Sequence, residues 1–162
     1  METVRIDFSN SKSIHNAVTR ATSVLRSGGV ILYPTDTLYG LGVDSLNLEA
    51  VEKLFALKGR DEQKAVHSVV ADLEMANRYA VVTKEAKMMG AHFLPGPLTL
   101  ILQKRDNVPS EVVQQLNTFG VRIPDSAFCL KLAEEFSGPF TSTSANVSGL
   151  VPESNVDAIL DQ

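Results

Sequence analysis

The chain has 162 residues, 44% hydrophobic and 21% charged, a balance that suits one soluble globular domain with a sizeable core and excludes a disordered or fibrous protein. Its net charge of −4 excludes general adhesion to nucleic acid through a basic surface, so any anion site has to be focused in a pocket. The one cysteine, Cys129, excludes an intramolecular disulfide and a cysteine-based zinc cluster; with no apolar run of signal-peptide or membrane-spanning length, it points to a cytoplasmic protein.

Residues 4 to 8 alternate Val, Ile and Phe with polar neighbours, as a half-buried strand would. From Ser13 to Arg26 the apolar residues Ile14, Ala17, Val18, Ala21, Val24 and Leu25 recur at helical spacing, and Gly28 is placed to end the helix. Val30 to Tyr33 is a β-branched apolar run, which predicts an internal strand stopped by Pro34. A Thr-, Asp- and Gly-rich loop follows, then a helix from Leu48 to Leu57 with Lys58-Gly59-Arg60 at its C-terminal end.

Ala65 to Ala71 returns to strand character, and Asp72 and Thr83 are placed to cap two short helices. Leu98 to Gln103 and Val121 to Ile123 predict further strands, with Asp125 to Phe136 a helix ended near Gly138. Ser154 opens the last helix, to Leu160, with a capping-box pattern. The alternation predicts an α/β (α+β) domain spanning residues 1–162, and possible hairpins between 98 and 123 favour a mixed sheet.

Several polar stretches invite chemistry. Tyr33-Pro-Thr-Asp-Thr-Leu-Tyr-Gly-Leu-Gly42 has the residues to bring backbone close to a polar ligand, or to make a polar turn. It lacks the third glycine and the helix of a dinucleotide fingerprint. Lys58, Arg60 and Lys64 place three cations within seven residues; they suit either phosphates or a solvated helix end. Leu94-Pro-Gly-Pro-Leu-Thr99 reads as a rigid turn. Arg122, inside an apolar strand, needs an anionic partner, whether a substrate carboxylate or an acidic side chain such as Asp125. Residues 140–149, Phe-Thr-Ser-Thr-Ser-Ala-Asn-Val-Ser-Gly, pack five hydroxyls and one amide together. No phosphate-binding P-loop, nucleophile elbow or metal-spaced pair among His15, His67 and His92 is present. Cys129, between Phe128 and Leu130, reads as a buried apolar residue.

Taken in order, these motifs together with Val-Arg-Ile-Pro and Ser-Thr-Ser-Ala-Asn-Val-Ser-Gly resemble the YrdC-like family of threonylcarbamoyl-adenylate synthases, over roughly residues 14 to 160. The resemblance implies a twisted mixed sheet with helices around a positively charged cavity. It implies synthesis of threonylcarbamoyl-AMP and pyrophosphate from L-threonine, bicarbonate and ATP with magnesium. The product would pass to a separate threonylcarbamoyl transferase complex that modifies tRNA beside the anticodon, with at most a weak tRNA contact by this chain and no membrane partner.

By position, the resemblance makes Lys58, Arg60, Ser144 and Asn146 the nucleotide set, joined by Thr118 and by Lys64 as a phosphate contact. Lys58 and Arg60 carry the catalytic role, because developing charge on phosphate oxygens asks for fixed cations rather than a covalent nucleophile. Thr35, Arg122 and Ser142, with His67, fall on the threonine side, and no metal ligands belong to the protein itself. Asp61 stands where many relatives have proline, and Ala65-Val-His-Ser-Val69 replaces a commoner Pro-Leu run. Two alternatives share the fold: a nucleotide- or RNA-binding module without catalysis, which 6% aromatic content disfavours, and a carbamoyl-phosphate-dependent adenylating activity. If the catalytic roles hold, Lys58→Ala and Arg60→Ala each lower turnover at least about tenfold, ~1.4 kcal/mol of transition-state stabilisation; wild-type rates in both variants exclude those roles.

Overall fold

The computed structural model describes residues 2–59 and 66–162. In chain order the elements are α1 (Ser11–Arg26), β1 (Ile31–Pro34), β2 (Tyr39–Gly42), α2 (Leu48–Lys58), β3 (His67–Val69), α3 (Leu73–Tyr79), α4 (Lys84–Phe93), β4 (Thr99–Gln103), β5 (Thr118–Arg122), α5 (Ala127–Phe136), β6 (Phe140–Ser144) and α6 (Val156–Leu160). Among the described residues the strands form one six-stranded sheet in the order β1-β2-β6-β3-β5-β4. Only β3 and β5 run parallel; the other neighbours are antiparallel. The sheet is mixed, as expected, and β4–β5 is the antiparallel pair anticipated between residues 98 and 123.

Short polar side chains start the helices where the sequence predicts them. Asp72 accepts from the Met75 amide and Thr83 from the Ala86 amide, so each satisfies a donor that the first turn leaves unpaired. Asn10, Asn47 and Ser126 do the same for α1, α2 and α5. At the other ends Gly28 (φ +70°) and Gly59 (φ +56°) adopt the left-handed conformation that closes a helix. The buried stripe of α1, Ile14, Ala17, Val18 and Leu25, belongs to one core cluster with Phe128, Leu132 and Ala133 of α5.

The structure corrects several expectations. β1, expected as an internal strand stopped by Pro34, lies at the edge of the sheet among the described residues and includes Pro34, which stands opposite Tyr39. Residues 4–8 form no strand; Val4 and Ile6 pack against the core, but alternation reports one buried side and not a partner backbone, and β1 at that edge of the sheet pairs with β2 alone. Tyr39–Gly42, expected as loop, and Phe140–Ser144, expected as a polar ligand stretch without assigned structure, are strands. α5 starts at Ala127 rather than Asp125 and ends at Phe136 as expected, with Ser137 at φ +60°, one position before Gly138, taking the left-handed cap. Asn155, rather than Ser154, caps α6. The Ala65 end of the predicted third strand lies outside the described residues.

Tyr33 determines how β1, β2 and β6 meet. Its ring is 1% exposed, edge-on to Phe140 at 5.3 Å between centroids, and its hydroxyl donates to the Thr141 carbonyl at 3.0 Å. The ring lies directly over the backbone of β2: a Cβ added to Gly40 would stand 3.1 Å from Tyr33 Cζ, and one added to Gly42 would stand 2.8 Å from Cε1. The two glycines therefore make room for the phenol. Gly42→Ala is expected to cost about 1–3 kcal/mol through overpacking, read as a lower urea midpoint with unchanged slope; an unshifted midpoint rules out this seating of the ring.

Candidate functional site

Strand pairing brings the polar stretches together. β6 is antiparallel to β3 with His67 opposite Ser142, and β3 is parallel to β5 with Ser68 opposite Val121 and Val69 opposite Arg122. Because side chains alternate between faces, Ser142, Ser144, His67 and Arg122 share one face of the sheet. Gly40 and Gly120 lie on that face too, and their missing side chains leave space above it. A cavity of about 320 Å³ opens there, its lining including Thr35, His67, Arg122, Ser142 and Ser144, a size at the lower end of small-molecule sites.

Arg122 is the fixed cation among the described residues lining this cavity. Its Nη2 donates to Asp36 Oδ1 at 2.6 Å, and the two side chains are 9% and 12% exposed. The backbone of Asp36 faces solvent while its carboxylate is covered. Nη1 and Nη2 both reach Thr37 Oγ1 at 3.2 Å, and Nε donates to the Gly96 carbonyl at 3.3 Å. Arg122 thus finds the anionic partner its burial demands in Asp36, not in the neighbouring Asp125. The turn around Gly96 is shaped for this: its amide donates to Ile123 O at 2.8 Å, and a Cβ on Gly96 would meet Phe93 O at 2.8 Å.

Thr35 organises the loop between β1 and β2. Its hydroxyl donates to the Leu38 carbonyl at 2.7 Å and accepts from the Thr37 and Leu38 amides at 3.1 and 3.2 Å. The proton of that hydroxyl is committed within the loop, so Thr35 shapes the cavity wall. Cys129 packs beneath it, its thiol donating to Pro34 O at 3.4 Å. It is fully buried, as the sequence predicts, and burial pushes the thiol up to about 11.

The remaining candidates stand at one end of the same sheet. Lys58, 4% exposed in the last turn of α2, donates through Nζ to the Ser144 carbonyl, and its own carbonyl accepts from the Ser148 amide at 2.9 Å. Asn146 donates through Nδ2 to Val147 O and Leu150 O at 2.9 and 2.8 Å, while its Oδ1 is buried without a hydrogen-bond partner among the described residues. Thr118 is exposed at the start of β5. It lies two strands from Ser144 at the same sheet end, roughly 10 Å away by strand spacing, and outside the cavity lining. Arg60 and Lys64 lie outside the described residues.

This cradle sits on a fold with known relatives. The family model Sua5/YciO/YrdC, described as telomere recombination, matches residues 23–162. The chain belongs to the Sua5/YciO/YrdC family. It is 38% identical over 130 residues to the threonylcarbamoyl-AMP synthase of Pyrococcus abyssi, covering 80% of this chain and 38% of that protein. It is 34% identical to the threonylcarbamoyl-AMP synthase of Mus musculus, covering 90% of this chain and 51% of that one. Among solved structures, P. abyssi Sua5 complexed with L-threonine superposes with a TM-score of 0.85 at 34% identity, over 90% of this chain and 43% of that one. The chain therefore spans about two-fifths to half the length of these relatives.

Within this Sua5/YciO/YrdC chain, sequence reasoning named Thr35, His67, Arg122, Ser142 and Ser144, and the fold brings all five to one cavity. It missed the individual parts of Asp36, Thr37, Gly96 and Gly120. The Thr-Asp-Thr and Pro-Gly-Pro motifs carried a signal for the first three; nothing local marks Gly120, whose added Cβ would lie 3.0 Å from His67 Cβ across the strand pair.

Two outcomes test this geometry. Arg122→Met strands the Asp36 carboxylate and is expected to cost about 3 kcal/mol of stability, with Asp36→Leu added to it restoring at least half; additive urea midpoints exclude the coupling. Because the folded thiol is held protonated up to about pH 11 and an exposed one ionises near pH 8.5, the unfolded chain releases its proton first. The thiol's contribution is therefore intact below about pH 8.5 and is lost as pH rises toward 11. Cys129 should resist a thiol reagent at pH 8 and react on unfolding; rapid reaction in the folded protein excludes the burial.

Proposed function

We propose that this domain synthesises L-threonylcarbamoyl-AMP and pyrophosphate from L-threonine, bicarbonate and magnesium-bound ATP. The observation that carries the reading is the L-threonine complex of P. abyssi Sua5, a structure of the same fold at 34% identity, together with a cavity here that offers a guanidinium beside several hydroxyls. The guanidinium of Arg122 suits the amino-acid carboxylate, and Ser142 and His67, opposite one another in the β6–β3 pair, suit its polar flank. Thr35 contributes through the loop it holds.

The nucleotide takes the neighbouring end of the sheet. Lys58, with Arg60 and Lys64 from the segment that follows α2, provides cations for the phosphates. Ser144 and Thr118 offer hydroxyls on one face, and Asn146 presents a buried carbonyl oxygen without a partner among the described residues, an acceptor suited to a donor on the nucleotide. An unpaired buried acceptor costs free energy until a ligand satisfies it.

In this reading the threonine amine adds to bicarbonate with loss of water, forming a carbamate. One carbamate oxygen attacks the α-phosphorus of ATP; the new P–O bond forms as the bond to the β-phosphate oxygen breaks and pyrophosphate leaves. Magnesium arrives as part of the ATP substrate and neutralises charge on its phosphates. The chain's own part is to align the two reactants and to meet the growing phosphate charge with Lys58 and Arg60. The product would serve a transferase acting on tRNA, and the site of action would be the cytoplasm; no described helix is long and apolar enough to cross a membrane.

Pyrophosphate release by the purified chain with Mg-ATP is expected to require both L-threonine and bicarbonate. Release without bicarbonate, dependence on carbamoyl phosphate, or ATP binding with no turnover would each overturn the synthase reading.

A further inference from the structure

The Arg122–Asp36 pair has a feature that carboxylate binding alone does not require. The Nη1–Nη2 edge of a guanidinium is the fork that clamps a carboxylate through two parallel hydrogen bonds. Here both nitrogens of that edge reach the neutral hydroxyl of Thr37 at 3.2 Å, a group that a ligand carboxylate can displace. Asp36 instead holds Nη2 at 2.6 Å, and Gly96 holds Nε. The fork stays oriented toward Thr37, which lines the cavity, while the charge behind it is cancelled. A covered ion pair of this kind is poor evidence for added stability, so its presence beside the cavity asks for another role.

We propose that Asp36 is the specificity residue of this site: by neutralising Arg122 at close range, it selects a zwitterionic α-amino acid over a carboxylate that lacks an ammonium group. The proposal rests on the amino-acid reading above and deepens it. Charge bookkeeping gives the direction. Arg122 and Asp36 sum to zero, so a zwitterion leaves the covered site neutral, whereas a plain carboxylate leaves it one negative charge in excess, which burial penalises. With Asp36 neutral the preference reverses, because a plain carboxylate then balances Arg122 and a zwitterion leaves it one positive charge in excess. The same compensation keeps Arg122 from capturing the small anions that the reaction itself supplies.

The test compares L-threonine with 3-hydroxybutanoate, which has the same carbon skeleton and hydroxyl but no amine, by calorimetry on the full chain. The wild type is expected to bind threonine at least tenfold more tightly. In Asp36→Asn, whose amide oxygen still accepts from Arg122, that ratio falls at least tenfold, chiefly through tighter binding of 3-hydroxybutanoate; Asp36→Glu keeps the wild-type ratio. An unchanged ratio in folded Asp36→Asn overturns the proposal. A wild-type ratio near one overturns it with no variant needed, even if Asp36→Asn fails to fold. Failure of the wild type to bind either ligand overturns the amino-acid reading itself and is distinct from both results.

Discussion

A guanidinium cannot be left alone beneath a protein surface. Arg122 emerges from β5 onto a covered face, and the cost of burying its charge is met by collecting partners from chain segments far apart: Asp36 and Thr37 from the loop after β1, and Gly96 from the turn before β4. Each of these contacts ties a loop to the sheet. The loop after β1 becomes a wall of the cavity because Thr35 folds it and Arg122 anchors it, and the turn at Gly96 is drawn against Ile123 by the same strand end. Removing the arginine would loosen both walls, beyond the loss of one ligand contact.

The cavity floor depends on what is missing. Along the polar face of the sheet, Gly40, Gly120, Ser142 and Ser144 supply little or no side chain, and the large group nearby, Tyr33, lies flat against β2 instead of rising into the space. The abundance of small hydroxyl residues in residues 140–149 follows from this geometry. β6 is central in the sheet, with β2 and β3 on either side, so its backbone groups are spent on the ladder. Thr141 uses its hydroxyl to satisfy the Val43 amide, 3.0 Å away, whereas Ser142 and Ser144, on the opposite face, line the cavity.

Energetics and specificity meet in the same pair of charges. A neutral Arg–Asp unit holds the fork in place at little net gain in stability, and a neutral site is what an amino acid at ordinary pH requires. The neighbouring end of the sheet has a different character: Lys58 is buried against the Ser144 carbonyl and precedes further cations in the sequence, as a polyanionic ligand would ask. A neutral region adjoining a cationic one is the arrangement that the proposed joining of a zwitterion to a nucleotide asks for.

The sequence by itself determined most helices, the caps Asp72 and Thr83, the existence of β1, the burial of Cys129 and, through ordered motifs, the family and five residues that meet in the cavity. Those features are local or composed of several fixed spacings, so they survive reading in one dimension. It did not reveal β2 and β6 as strands: the glycines of β2 disfavour a strand, and β6, whose Phe and Thr residues favour one, reads in one dimension as a run of ligand-binding hydroxyls because it lacks the apolar alternation of a half-buried strand. It also misread residues 4–8, where alternation was real but the segment pairs with no strand among the described residues. The tertiary structure alone decided that Arg122 pairs with Asp36, 86 positions away in the chain, and not with the nearby Asp125. The physical reason is that a buried charge is satisfied by whatever the fold brings within reach, and reach across a sheet is set by strand order and register, which no short stretch of sequence encodes.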